Sequence, residues 1–372
     1  MPIPYGKRCL PEHDPLSEYY AVRERVGVID LSHDGQYLLS GEDRVPFLQN
    51  LISNDIHLAT NKKGIISALL TAKGKVVSRF FLCPLTGGSA SGRAGPAGVA
   101  PLAGAGSLAD SYFLDVESAA AEKTIQHFMK YKMRSKIKIE PLQWGKLLVS
   151  GPESYAVLEK ILPLPETGEG SFFFQADANP LLVIRTTQTG EDDYHLYCHK
   201  EQRDTLWNNL FAAGKEWDIA QVGETTFNIL RIEAGIPRYG VDMDEERFPV
   251  ESEFYANTVS YTKGCYPGQE VMARIKTYGH CNRILKGLII KGDSIPQRQD
   301  NIFKADDGVG WVTSAVFSPF LKSPIALAYL KNGVEEGMSV EVSIHGEEGE
   351  SQRTVSAVVT KLPFYERGGD AT

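Results

Sequence analysis

The chain has 372 residues, 42% of them hydrophobic, with 47 acidic against 39 basic side chains and a formal net charge of −8. That size supports two or three domain cores, and the acidic balance argues against a phosphate-tracking nucleic-acid surface while leaving room for a local basic pocket. No apolar run approaches the ~20 residues of a membrane helix, and the polar, proline-rich opening MPIPYGKRCLPEHD does not read as a secretion signal. A cytoplasmic protein is expected, with no membrane or direct nucleic-acid partner. Its five scattered cysteines (Cys9, Cys83, Cys198, Cys265 and Cys281) suit reduced thiols better than a disulfide framework.

Along the chain the first clear feature is an internal repeat. Residues 35–52, GQYLLSGEDRVPFLQNLI, align without gaps on residues 145–162, GKLLVSGPESYAVLEKIL, with identities at Gly35/Gly145, Leu38/Leu148, Ser40/Ser150, Gly41/Gly151 and Leu48/Leu158. Each copy predicts a short strand, a Ser-Gly turn and an amphipathic helix. A second helix follows each copy, over 118–132 and 200–214, with β-type stretches such as KVVSRFFL, SYFLDV, PLLVIRTT and YHLYCH between. The predicted class is therefore α+β, with two duplicated units that pack helices on one face of an antiparallel sheet. The tract 86–108, rich in Gly, Ala, Pro and Ser, is predicted to be a mobile loop inserted between two strands of the first unit. From about residue 282 short strands with turn residues take over, which predicts a small antiparallel barrel or sandwich. The domain boundary is placed at 281/282, giving parts 1–281 and 282–372.

Two stretches could carry chemistry. In LRIEAGIPRYGVDMDE (230–245), the spacing predicts a helix stopped by Gly235, with Glu233 in its last turn, where the helix dipole opposes a carboxylate. Arg231, Glu233 and Arg238 are either solvated charges or, for Glu233, a carboxylate that accepts paired N–H donors from a flat heterocycle. In TKGCYPGQEVMAR (262–274), Lys263, Arg274 and Lys276 lie close to Cys265 in sequence, and cations favour a thiolate. The competing reading is a Pro-Gly turn with a buried sulfur, and spacing alone favours it. Zinc spacing, the P-loop and the Rossmann fingerprint are all absent.

On these residues the chain resembles a known family. VRERVGVIDLSHDGQYLLSGEDRVPFLQNLISNDI (22–56), LRIEAGIPRYGVDMDE and GVGWVTSAVFSPFLKSPIALAYL (308–330) are similar to the glycine-cleavage T-protein (GcvT, aminomethyltransferase) superfamily. TKGCYPGQEVMAR is similar to the K-G-C-[FY]-x-G-Q-E signature of its YgfZ-type folate-binding branch. The resemblance implies a three-domain cloverleaf, with two related α+β units and a C-terminal small β-barrel around a tetrahydrofolate site. It places the pterin-recognising carboxylate on Glu233, with Asn54, Tyr239 and Arg274 as further folate neighbours. It also makes Lys263 and Cys265 a reactive pair, on a loop shaped by Gly264, Tyr266, Gly268, Gln269 and Glu270. The YgfZ branch implies support of iron–sulfur proteins or their assembly factors, and some tRNA modification. The alternative is folate-dependent aminomethyl transfer. Against that alternative, the stretch where such enzymes carry an Asp-Asp pair reads Ser78-Arg79 here. A positioned acid–base group is commonly worth ~10²–10⁴-fold in rate.

Overall fold

A computed structural model describes residues 14–60, 63–85, 110–164, 171–176, 179–279, 281–344 and 353–368. The chain opens with α1 (Pro15–Glu24), capped by the Asp14 carboxylate, and β1 (Gly27–Asp30). The first unit follows: β2 (Gly35–Ser40), α2 (Arg44–Leu51), β3 (Ile65–Leu70), β4 (Val76–Leu85), β5 (Ser111–Val116), α3 (Ser118–Lys132) and β6 (Lys138–Pro141). The second repeats the plan with β7 (Trp144–Ser150), α4 (Ser154–Glu159), β8 (Ser171–Ala176), β9 (Asn179–Thr186), β10 (Asp193–His199), α5 (Arg203–Ala213) and β11 (Ala220–Val222). Then come α6 (Glu224–Glu233), α7 (Glu253–Ala256), α8 (Gln269–Tyr278) and the last six strands: β12 (Arg283–Ile290), β13 (Asn301–Lys304), β14 (Asp307–Ser318), β15 (Ser323–Lys331), β16 (Ser339–Ile344) and β17 (Arg353–Thr360).

The predicted class holds: two α+β units and a closed barrel of order β12-β15-β14-β13-β16-β17. The repeat is structural as well as sequential, since both Ser-Gly turns use a left-handed glycine, at φ +113° for Gly41 and +127° for Gly151. A side chain at either would drive into a backbone carbonyl, that of Lys136 or of Arg25. Strand β13, four residues long, escaped the sequence pattern. The 86–108 tract lies outside the described residues; β4 and β5 on either side of it pair antiparallel.

The units are not strictly sequential. Strand β1 joins the second sheet, of order β11-β1-β7-β10-β9-β8, between β7 and a parallel β11. The first sheet, β3-β4-β5-β2-β6, is completed from far along the chain: Tyr239, Met243, Tyr255, Val259, Tyr266 and Met272 all enter its core. Both functional stretches are thereby bound to the first unit or to its seams.

Candidate functional site

Helix α6 presents an apolar face with Phe227 and Leu230, and Gly235 ends it at φ +68°. Of the three charges near its end, only Arg238 is solvated, and it pairs with an exposed Glu224. Arg231 is buried; it donates to Asp242 at 2.8 Å and to Ser314 at 2.9 Å, which ties α6 to the barrel. Glu233 is fully buried. Its Oε2 accepts from the Tyr19 hydroxyl (2.8 Å) and Arg23 Nη2 (2.7 Å), and its Oε1 from Ser318 Oγ (2.5 Å) and Phe320 N–H (3.4 Å). A carboxylate offers about four lone-pair positions. Glu233 therefore does not present the free carboxylate that a paired-donor ligand needs: α1 and the barrel occupy it. The Arg23 fork, which also reaches Glu191 at 3.1 Å and lies 3.7 Å over the Tyr365 ring, takes the place of a flat N–H edge.

The 262–274 motif divides into an inward and an outward half. Lys263 turns inward and its ammonium donates to the carbonyls of Ile52 (2.7 Å) and Asn54 (2.9 Å). Burial pushes its pKa down to about 8, with Asp55 pulling the other way. Asn54 is itself engaged locally, donating to the Ile66 carbonyl and accepting from Asp55 N–H. Tyr266 is buried and donates to the Ser260 carbonyl, while Gln269 donates to the Lys263 carbonyl at 3.2 Å. Gly268, at φ +83°, lets the loop lie on the 71–74 turn: a Cβ there would fall 2.7 Å from Gly74 Cα and the Thr71 carbonyl. Cys265 is exposed, and so are Gly264, Glu270 and Arg274. No hydrogen bond or ion pair among the described residues joins Lys263 or Arg274 to Cys265. The buried-sulfur reading is corrected, and so is the picture of a thiol clamped between cations: a cation bound by two carbonyls points one way and the thiol the other. Cys281 faces a space of about 380 Å³ next to α8, together with Lys75, Arg247 and Arg283.

The turn under Gly268 leads into β4, which carries Ser78 and Arg79. Successive strand residues face opposite sides of a sheet. Ser78 is fully buried with its hydroxyl unpartnered. Arg79 faces α7, its guanidinium 4.0 Å over the Phe254 ring and 5.8 Å from that of Tyr255. Its buried Nε has no hydrogen-bond partner, and among the described residues no carboxylate pairs with it. Glu117 lies next in register across β5, but its Oε2 accepts the Tyr239 N–H. The hydroxyls of Tyr239 and Tyr255 and Nε2 of His195 are likewise buried and unpartnered. Burial pushes both tyrosines upward, so they stay protonated. Burial, with Lys146 and Arg79, pushes His195 well down, so it is neutral.

Lys146 links the two units, donating to Asp34 and Asp115 at 2.8 Å each, while Tyr197 donates to the same Asp115. Burial opposes its charge, and the two carboxylates more than offset that. The sequence expectation named Tyr239, Glu233 and the motif but not Arg23, Glu117, Tyr255 or His195. The only signal near them was the carboxylate replaced at Ser78-Arg79. Among the described residues no cluster suits a metal ion and no helix is long and apolar enough to cross a membrane.

The chain matches the GCVT N-terminal domain over residues 1–87 and 105–262, and the glycine cleavage T-protein C-terminal barrel domain over 283–366. It is 27% identical over 360 residues to an aminomethyltransferase of Caldanaerobacter subterraneus subsp. tengcongensis, covering 95% of this chain and 88% of that one. To an aminomethyltransferase of Moorella thermoacetica it is 28% identical over 373 residues, covering 99% and 92%. Its fold resembles the glycine cleavage system aminomethyltransferase T of Bartonella henselae, with a TM-score of 0.79 and 21% identity, covering 95% and 90%. With two α+β units, the closed barrel and both family domains in order, the chain belongs to the glycine-cleavage T-protein (GCVT) family, which uses tetrahydrofolate as its one-carbon acceptor.

Proposed function

We propose that this chain binds a reduced folate and acts on its one-carbon unit. The observation that carries this reading is the unsatisfied interior around Arg79. Two aromatic rings (Phe254 and Tyr255) adjoin the Arg79 guanidinium, whose Nε is buried without a hydrogen-bond partner, and the buried Tyr255 hydroxyl is likewise unpartnered. A pterin and its aminobenzoyl ring are flat and rich in acceptors, so aromatic faces and free donors fit them. Glu233 as it stands does not contribute, and a pterin edge would reach it only by displacing Arg23.

Aminomethyl transfer is the reaction that the names of the relatives support, and it comes first. A second reading, the YgfZ-type support of iron–sulfur proteins, is favoured by Arg79 in place of a carboxylate and by the outward Cys265 on a loop locked to the same hairpin. One pair of experiments separates them: folate binding by calorimetry, and glycine-cleavage turnover with a purified lipoyl carrier protein. Robust turnover establishes the first reading and removes the second. Folate binding without turnover, with loss of iron–sulfur enzyme activity in a Cys265→Ala strain, does the reverse. Absence of folate binding defeats both.

A further inference from the structure

The space of about 380 Å³ beside α8 is lined by three cations, Lys75, Arg247 and Arg283, and by two carboxylates, Glu246 and Glu251. Neither Arg79 nor its ring partners Phe254 and Tyr255 line it. One indole fixes both arginines: the guanidinium carbons of Arg247 and Arg283 each lie 4.9 Å from the Trp311 ring centroid, and that of Arg247 is as close to Tyr329. Stacking uses the face of a guanidinium and leaves its N–H edge to find acceptors. The protein's own acceptors do not meet those edges. Arg247 approaches Asp244, Glu246 and Glu251 at 3.7, 3.6 and 3.8 Å, outside hydrogen-bond range, and the buried Nε of Arg283 has no partner among the described residues. Lys75 gives one donor to the Glu246 carbonyl, at 2.9 Å. Of the two lining carboxylates, that of Glu246 is 82% exposed at the rim and only that of Glu251 is buried. Three cations against two carboxylates leave the lining positive even with both acids ionised. Two like charges held against one ring also repel, and an anion beside both removes that cost.

We propose that this space is a binding site for a small organic anion, whose carboxylate or phosphate oxygens accept from Arg247 and Arg283 with Lys75 beside them, and whose carbon part lies on Phe248, Val271 and Ile275. A guanidinium fork matches either oxyanion with two parallel hydrogen bonds. The volume exceeds that of a bare ion: at ~30 Å³ per water it equals about a dozen waters. Val271 and Ile275 belong to α8, so the ligand touches the helix into which the Cys265 loop leads. The site stands apart from the folate reading and holds whether or not that reading does. No bond is made or broken in it.

Cys281 lines the same space and the exposed Cys265 does not, so the protein carries its own reporter and control. The test is alkylation of the full chain with iodoacetamide, followed cysteine by cysteine by peptide mass spectrometry, in inorganic phosphate, in glutarate and in sodium chloride at matched ionic strength. Phosphate or glutarate is expected to slow Cys281 labelling saturably, about tenfold at ten times its dissociation constant, and to leave Cys265 unchanged. Whichever protects at the lower concentration assigns the group the site prefers. Arg247→Met and Arg283→Met are each expected to abolish the protection, and Lys291→Met, an exposed barrel lysine, to keep it. Where Cys281 labels too slowly to follow, the thermal midpoint replaces it: phosphate or glutarate raises it above matched chloride in the wild type but not in Arg247→Met. Protection no better than in chloride overturns the proposal, as does protection that survives in both arginine variants. The wild-type comparison of the three salts decides the matter even if a variant does not fold.

Discussion

At Glu233, a carboxylate fully removed from water receives donors from Tyr19, Arg23, Ser318 and Phe320; at Arg79, a partly buried guanidinium lies over Phe254 with its Nε unmatched. The first binds α1, α6 and the barrel into one body. The second meets two aromatic rings and, among the described residues, no hydrogen-bonded carboxylate. Chemical type alone would have ranked them in the opposite order, since the carboxylate is the group suited to a pterin and the arginine looks like an ion-pair former. What separates a structural charge from a site charge here is satisfaction, not identity.

Substitutions should expose that difference in stability before any ligand is added. Glu233→Ala is expected to have the largest effect, a loss of ~3–5 kcal/mol in denaturant unfolding, because it strands a buried Arg23. Gly268→Ala should cost about 1–3 kcal/mol, since it forces a side chain into a left-handed position against the 71–74 turn. Arg79→Met, although it also removes a buried charge, should leave stability unchanged or slightly raised, because no partner is orphaned. A loss above ~2 kcal/mol at Arg79 would reveal a protein partner and erase the contrast.

Lys263 gives a pH-dependent version of the same test. Its folded pKa, pushed down to about 8, lies below the ~10.4 of an unfolded lysine. Between those values the unfolded chain holds the extra proton, so the unfolding free energy should rise with pH across this window. Lys263→Met should lack that rise. Cys265→Ala should have the smallest effect, within ~0.5 kcal/mol, and Cys265 should be alkylated in the native state while the buried Cys83 is protected.

What could be read from the residues follows how far each structure reaches along the chain. The helix over 118–132 matches its predicted span because its apolar period and flanking signals are local. Gly41 and Gly151 were visible as a repeated turn for the same reason. The parallel pairing of residues 27–29 with 220–222 has no local signature, so the exchange of β1 into the second sheet was hidden. So was the fate of Glu233, whose side-chain partners lie 85 to 214 residues away. The motif loop was half legible: its glycine and proline turn chemistry was plain, but nothing in TKGCYPGQE says that Lys263 turns toward Ile52 and Asn54 and leaves Cys265 outside. Arg79 stood out as a departure from a family pattern, yet its lack of a partner could be seen only once β4, β5 and α7 were placed together.

The most direct measurement is a structure of the full chain with a reduced folate bound. The account predicts an accepting oxygen of the folate within hydrogen-bond distance of the Arg79 guanidinium, with Glu233 still held by Tyr19 and Arg23. A folate seated on Glu233 in place of Arg23, with Arg79 untouched, would contradict it.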